Sequence, residues 1–584
     1  VQLTSFDWII ILAFFAVSLL IGLLSARKAG KNAKEFFLSG RNMPWWLLGV
    51  SMVATTFSAD TPNLVTQFVR EDGVAANWQW WAFLLTGMLT VFVYARLWRR
   101  SGVLTDIEFY ELRYSGKPAA FLRGFRALYL GVFFNVVIMA TVCVAAIKLG
   151  GILLGIPAWQ TLLIVSGVTV LYSALGGLRG VILTDFVQFA LAMVGSVAAA
   201  VYLIDLPEVG GLSALISAPE VSDKLRLIPD IDNTDLFIAV FLIPIAVQWW
   251  SVWYPGAEPG GGGYIAQRML SAKNENHAVG ATLLFNLAHY ALRPWPWILI
   301  ALASLIVFPD TASLEAAFAA QDGVKVDDDL AYPAMLSYLP AGLLGLVVAS
   351  LIAALMSTLS THLNWGSSYV VNDFYLRFVN PEASEGAQVR VGRISTVLLM
   401  VFAAVLSLFI ESAGDGFQAL LQIGAGTGLI FILRWFWWRI NAYTELAGMI
   451  VSFVYAIAIL IIAPEWPKWV TLLMGVGITT AGWLAVTFLT PATDKAHLRE
   501  FYLKIRPAGR GWQRILGEDI PQPIGRLPEQ LLFFFFGTII VYAALFGTGA
   551  LLYGEYLTAG SLWLSAAGLT LLLLVRWKNR KKLN

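Results

Sequence analysis

The sequence predicts an all-α polytopic membrane protein with about 15 transmembrane helices. Three observations predict it. First, the 584 residues are 58% hydrophobic and 13% charged, with mean hydropathy +0.72; soluble domains are roughly 45–50% apolar and about 25% charged. Second, runs near or above the roughly 20 apolar residues of a span recur along the whole chain. They lie at 7–25, 44–70, 75–98, 120–152, 157–176, 178–204, 233–268, 276–308, 333–375, 388–413, 416–438, 442–463, 467–490, 528–553 and 555–577. Third, charge alternates between the connections. Those at 96–126, 267–277, 373–393, 434–445, 490–526 and 576–584 carry Lys or Arg, whereas 205–232 and 309–332 are rich in Asp and Glu. Basic loops stay in the cytoplasm, so the N-terminus is expected outside and the C-terminus inside.

The first run, Ile9 to Leu24, is expected to be a span and not a signal peptide. No small-residue cleavage pattern follows it, and its basic flank (Arg27, Lys28, Lys31, Lys34) comes after it. Within the cytoplasmic stretch 491–527, the pattern from Leu498 to Pro507 reads as an amphipathic helix on the membrane surface. The net charge of +2 is spread over loops, which excludes a nucleic-acid footprint. Cys143 is the single cysteine, so neither an internal disulfide nor a cysteine metal cluster can form. There is no P-loop, dinucleotide fingerprint or HExxH, and no enzymatic activity is expected. Membrane lipid is the expected surrounding, and no obligate protein partner is evident.

Two of the apolar runs are interrupted. The first contains Ser58-Ala59-Asp60-Thr61-Pro62-Asn63. The second contains Trp253-Tyr254, then Pro255-Gly256-Ala257-Glu258-Pro259 and Gly260 to Gly263. In lipid an unpaired backbone group costs several kcal/mol, so broken helices survive only when buried or lining a cavity. Paired breaks in two halves point to a transporter binding site, and carboxylates inside spans (Asp60, Glu258) are functional candidates.

Between 341 and 375, Ala354, Ser357, Thr358 and Thr361 fall on one helical face, flanked by Ser360. Such hard oxygens suit Na⁺. Alone, the same residues could equally bond to their own preceding turn; free carbonyls at 54–61 strengthen the ion reading. Asp185 is either a cation ligand or an interfacial carboxylate that snorkels. Arg293, beside Pro294 and Pro296, binds solute or forms an internal salt bridge. Gln79 and Gln248, lone amides among Trp residues, need partners. The run from Gln422 to Gly428 is either a close-packing face or part of a pocket.

Taken together, several motifs resemble the sodium:solute symporter family, which includes sodium/glucose, sodium/proline and sialic acid transporters. They are Phe36 to Arg41, Ser58-Ala59-Asp60, Gly176-Gly177 with Thr184 to Gln188, Gln267-Arg268 with Ala272-Lys273-Asn274, Ala331-Tyr332-Pro333, and the Ser/Thr run at 357–361. The resemblance covers about 7–460. It implies a five-plus-five inverted-repeat core whose first helix in each repeat is discontinuous. The expected division is 1–43, an extra span and loop; 44–204, the first repeat; 205–232, an outside loop; 233–440, the second repeat; and 441–584, extra spans with the cytoplasmic loop 491–527. It also implies a sodium site built by backbone oxygens of Ala54, Phe57 and Ala354 with the hydroxyls of Ser357 and Thr358. A second sodium site, found in some members, would draw on Asp185, Ser360 and Thr361 together with Ser357. The implied solute-binding residues are Thr61, Gln79, Trp253, Glu258, Gly261, Asn286 and Gln422. The chain departs from sugar and proline carriers at the second break, where the glycine-rich segment replaces an Asn-Gln type segment.

The resulting expectation is a multi-pass cell-membrane symporter, with Na⁺ as coupling ion, that imports a small polar solute by alternating access. Amides, hydroxyls and aromatics near the breaks favour a sugar. An amino acid or organic acid is the alternative, and a non-transporting sensor or regulatory subunit is the rival from another class.

Overall fold

A computed structural model describes residues 3–151, 155–254, 257–318, 326–410, 420–462 and 465–583. Pro255 and Gly256, in the second break, lie outside the described residues. A chain surrounded by hydrocarbon must pair its own amides, and helices do so within one segment. Accordingly, the described residues are helical or loop with no named strand, and isolated bridges pair only Met43 with Ala272 and Val252 with Ala425.

In chain order the elements that matter are α1 (Ser5–Ala29), α2 (Trp45–Thr55), α3 (Asp60–Asp72), α4 (Val74–Ser101), α5 (Gly116–Leu149), α6 (Ala158–Ile204), α7 (Thr234–Ser251), α8 (Gly263–Ser271), α9 (Glu275–Val307), α10 (Leu343–Val379) and α11 (Glu385–Ser407). They are followed by α12 (Gly428–Leu433), α13 (Ala442–Ile462), α14 (Lys468–Leu489), α15 (Lys495–Ile505), α16 (Leu527–Leu552) and α17 (Tyr556–Lys578). Twelve described helices are long and apolar enough to cross a membrane, against the expected count of about 15. Three segments account for the difference. The run 44–70 is divided into α2 and α3 by the break. The runs 157–176 and 178–204 are continuous as α6, which bends at non-helical Gly177. The run 416–438 begins outside the described residues and, within them, is helical only over 420–424 and in the short α12.

Local chemistry sets several ends. Thr4 and Asp7 form a reciprocal capping box at the start of α1, with Thr4 N–H donating to Asp7 Oδ2 at 2.9 Å. The other oxygen of Asp7 accepts from Gly342 N–H (2.7 Å) and Gly345 N–H (2.8 Å), which ties α1 to the start of α10. In α9, Pro294 and Pro296 cannot donate to the helical ladder. The turn before them widens to π geometry over Ala288–Leu292, and Arg293 N–H reaches back to Ala288 O at 3.2 Å. Such widened turns are frequent at functional sites.

The core forms where α6 packs along α1 and α10 and where α9 packs on α2. The lipid-facing side of α17 is exposed, with Leu557 and Leu564 bare. Outside the core, α13 pairs with α14 and α16 with α17. The segment 491–527 contains an amphipathic helix, α15, whose Leu498, Phe501, Tyr502 and Ile505 are buried, with Phe501 against Phe109, Trp435 and Trp512, while its charged residues face outward. Several buried charges are paired, which offsets the low dielectric: Arg123 with Asp373 and Glu111 (both 2.7 Å), and Arg70 with Asp328 (2.7 Å).

The bend in α6 requires glycine. Gly177 has φ +52° and ψ −161°, and a Cβ there would lie 2.7 Å from the Phe36 carbonyl. That conformation is essentially closed to other residues. Gly177→Val is expected to destabilise the protein by about 1–3 kcal/mol through strain and overpacking, read as a lower apparent Tm of the purified protein. An unchanged Tm would contradict this account of the bend.

Candidate functional site

The first break is built by the turn from Thr56 to Ala59, which separates α2 from α3. Its freed carbonyls are met from α10. Thr358 Oγ1 lies 2.9 Å from Thr55 O and 3.2 Å from Ala354 O, bridging the broken end and its own helix. Phe57 N–H donates to Ala54 O at 3.1 Å. Ala54, Phe57, Ala354, Ser357 and Thr358 are all at most 4% exposed. The structure thus brings α2 and α10 together at the residues expected for sodium. Their oxygens are neutral and hard, the donor type that suits Na⁺ over softer metals.

Ser357 donates to Asp185 Oδ1 at 2.7 Å, which leaves the lone pairs of Ser357 Oγ free to face a cation. The other oxygen of Asp185 accepts from Ser51 Oγ and faces Arg268 Nη2 at 3.6 Å. Arg268 also donates to Thr361 Oγ1 (2.6 Å) and lies 3.2 Å from Ser51 Oγ. Thr361 in turn lies 2.9 Å from Thr55 Oγ1. Asp185 and Thr361 are therefore brought together around a guanidinium, while Ser360 Oγ turns to Ser357 O at 3.0 Å. Asp185 is fully buried and does not snorkel to an interface.

Beside the break lies a cavity of about 180 Å³. Thr55, Thr56 and Thr358 border it at one end, and Lys148 and Asp329, paired at 3.1 Å, border it at another. Its walls include Asp60, Thr61 and Asn63 from α3, Trp80 and Phe83 from α4, Tyr254, Tyr264 from α8, and His289, Tyr290 and Arg293 from α9. The rings are pre-positioned against one another: Trp80 stacks on Tyr290 (5.8 Å between centroids) and Phe83 on Tyr254 (5.6 Å). Arg293 has no salt bridge among the described residues. It reaches Thr56 Oγ1 (3.3 Å) and lies over the rings of Trp297 (5.3 Å) and Phe57 (5.9 Å).

Of the residues expected to bind solute, Thr61 lines this cavity. Glu258, Gly261 and Asn286 instead share a separate, much smaller space with Gly87. There Gly261 has φ +76°, and a Cβ on it would lie 2.8 Å from the end of Met269. Asn286 donates to Thr282 O (2.8 Å) within its own helix. Trp253 is buried edge-on against Phe134, and its N–H donates to Gly424 O. Gln79 accepts through its backbone carbonyl from Gln248 Nε2 at 2.7 Å. Gln422 donates to Thr471 Oγ1 on α14 at 2.9 Å. These last three residues do not border the main cavity. Sequence reasoning passed over His289, Tyr290, Trp80 and Tyr264 as site residues. The spacing of His289 and Arg293, four apart on one face, was the available signal.

The profile of the sodium:solute symporter family matches residues 36–452. The chain belongs to that family. It is 25% identical over 487 residues to a sodium/glucose cotransporter of Vibrio parahaemolyticus, covering 78% of this chain and 85% of the relative. A sodium/mannose cotransporter of Bos taurus is 27% identical, covering 77% of this chain and 78% of the relative. A sodium/myo-inositol cotransporter of Oryctolagus cuniculus is 28% identical, covering 76% and 68%. Among solved structures, a Na⁺-coupled sialic acid symporter in a substrate-bound outward-open state superposes with a TM-score of 0.68 at 20% identity, over 84% of this chain and 99% of that one. This symporter therefore has the discontinuous inverted-repeat fold, uses Na⁺ as its coupling ion, and is not an enzyme.

The double variant Ser357→Ala with Thr358→Ala is expected to abolish Na⁺-dependent thermal stabilisation of the purified symporter while leaving its oligomeric profile unchanged. An unaltered Na⁺ midpoint in that variant would remove these two hydroxyls from the ion site.

Proposed function

We propose that this symporter couples inward movement of sodium, held between α2 and α10, to uptake of a small polar solute held in the central cavity. The carrying observation is that Thr358 both meets the broken end of α2 and borders the cavity. An ion placed on that hydroxyl and the freed carbonyls would brace the break, and with it the wall formed by Asp60, Thr61 and Asn63. Solute affinity and sodium occupancy would then rise together, as thermodynamic linkage requires. The repeats 44–204 and 233–440 would move against each other around the site. With the acidic loop at 309–332 outside, the Lys148–Asp329 end of the cavity faces outward.

The solute reading supported by the relatives is a sugar or sugar-like molecule, since their names record glucose, mannose and myo-inositol. Stacked aromatic walls and hydroxyl-bearing residues in the cavity suit it. A second reading, a solute with a carboxylate, is favoured by Arg293 in the cavity wall. The driving force is adequate for either. One charge crossing 100 mV supplies about 2.3 kcal/mol, and a tenfold ion gradient about 1.4 kcal/mol more. One sodium ion thus supports roughly 500-fold accumulation of a neutral solute.

Proteoliposomes carrying the purified symporter should accumulate labelled solute when sodium is high outside and lose that accumulation when potassium replaces sodium. A panel of D-glucose, D-mannose, myo-inositol, amino acids and organic acids identifies the class. Uptake indifferent to the replacement of sodium would reject the coupling.

A further inference from the structure

Two buried groups of opposite charge face the central cavity without satisfying one another. Arg293 is 2% exposed, and its Nε has no hydrogen-bond partner. Asp60 stands at the start of α3 on the same cavity, and its Oδ1, itself buried, also has none. The two form no salt bridge among the described residues. Neighbouring charges do not fill the gap: Lys148 and Asp329 are paired with each other, and Arg268 faces Asp185. Asn63, 5% exposed and lining the same wall, adds a third unpartnered atom, Oδ1.

A separated buried ion pair is costly, because each charge has left water and neither has gained an ionic partner; the contacts of Arg293 with Val53 O, Thr56 Oγ1 and the rings of Phe57 and Trp297 are all with neutral groups. Intramembrane charges of this kind are found where they serve a transported species. The vacancies also have a polarity. Arg293 offers an N–H donor and positive charge, so it calls for an anionic acceptor. Asp60 and Asn63 offer acceptors, so they call for a cationic or strongly donating group. A neutral polyol can hydrogen-bond to both ends but leaves both charges uncompensated. A molecule with a carboxylate at one end and an ammonium at the other compensates both and adds no net charge to the cavity. The rings of Trp80, Tyr254 and Tyr290 would enclose the part between.

We infer that the cavity selects a zwitterion, an amino acid or an amino-sugar acid, with its carboxylate on Arg293 and its ammonium between Asp60 and Asn63. The inference rests on the reading of this cavity as the solute site, and for the solute itself it takes the carboxylate reading over the neutral sugar.

The test is ligand-dependent stabilisation of the purified symporter in saturating sodium. The probes are the standard amino acids and muramic acid as zwitterions, D-glucose and myo-inositol as neutral polyols, D-gluconate and lactate as anions, and choline and ethanolamine as cations. At least one zwitterion should raise Tm where its singly charged and neutral counterparts do not. For that probe, Arg293→Gln and Asp60→Asn should each weaken the midpoint at least about tenfold, in protein with an unchanged circular dichroism spectrum. Stabilisation by the neutral polyols in preference to the zwitterions overturns the inference and leaves sodium-coupled uptake standing. Stabilisation by none of the zwitterions also overturns it, and this outcome is read on the wild type alone, so it does not depend on the variants folding. Loss of sodium-stimulated uptake of every solute class would instead count against the cavity as a transport site.

Discussion

The unwound turn between Thr55 and Asp60 is the constraint around which the core is arranged. A helix interrupted in hydrocarbon exposes carbonyls that nothing in the lipid can satisfy. The chain meets this cost by packing α10 against the break, so that Thr358 Oγ1 reaches Thr55 O and Thr361 reaches Thr55 Oγ1. That placement in turn requires α10 to be buried on nearly every side, which α1, α6 and α11 provide. The same break that is expensive for folding presents the oxygen-rich surface an alkali cation needs, so the structural liability and the proposed ion site occupy one place.

Charge is handled in the same manner. The Asp185 carboxylate sits at 0% exposure with Ser51, Ser357 and Arg268 around it. This links α2, α6, α8 and α10 through a single buried network. On the opposite side of the core, Glu445 lies 3.7 Å from both Arg126 and Arg434 and accepts from Tyr114 at 2.9 Å, tying α13 to α5 and to the end of α12. Breaking one member of such a network leaves an uncompensated charge. These contacts therefore fix how helices from different parts of the chain can sit together, even where their net stabilisation is small. In the central cavity Arg293 and Asp60 form no such pair among the described residues, which is the observation behind the proposed zwitterion.

The candidate site was partly legible in the sequence. The one-face run Ala354, Ser357, Thr358, Thr361 lies on a regular helix, where spacing maps directly onto direction. The structure places that face against the break. Asp60 and Arg293 were both visible as intramembrane charges, but 233 positions separate them, and no periodicity connects residues so distant. The solute set was harder still. Gln422 and Trp253 lie near the cavity in sequence terms but are drawn into contacts with Thr471 and Phe134, and the amide of Gln248 is taken by the backbone carbonyl of Gln79. An amide in an apolar run must find a partner, and the sequence cannot say whether that partner is a solute or a neighbouring helix.

By itself the sequence determined the class of the molecule: an all-helical membrane protein, interrupted twice, with hydroxyls clustered on one face of α10. These properties follow from hydropathy, from the inability of Pro and Gly to continue a helix, and from the 3.6-residue turn, all of which act locally. Even the bend in α6 was foreshadowed by Gly176-Gly177. Only the tertiary structure decided which side chains share a cavity, that Arg268 sits against Asp185, and that Glu258 and Gly261 line a small space adjoining the cavity that Thr61 lines. Those outcomes depend on how helices hundreds of residues apart pair their buried polar groups, and pairing is a property of the whole packed assembly, not of any one segment.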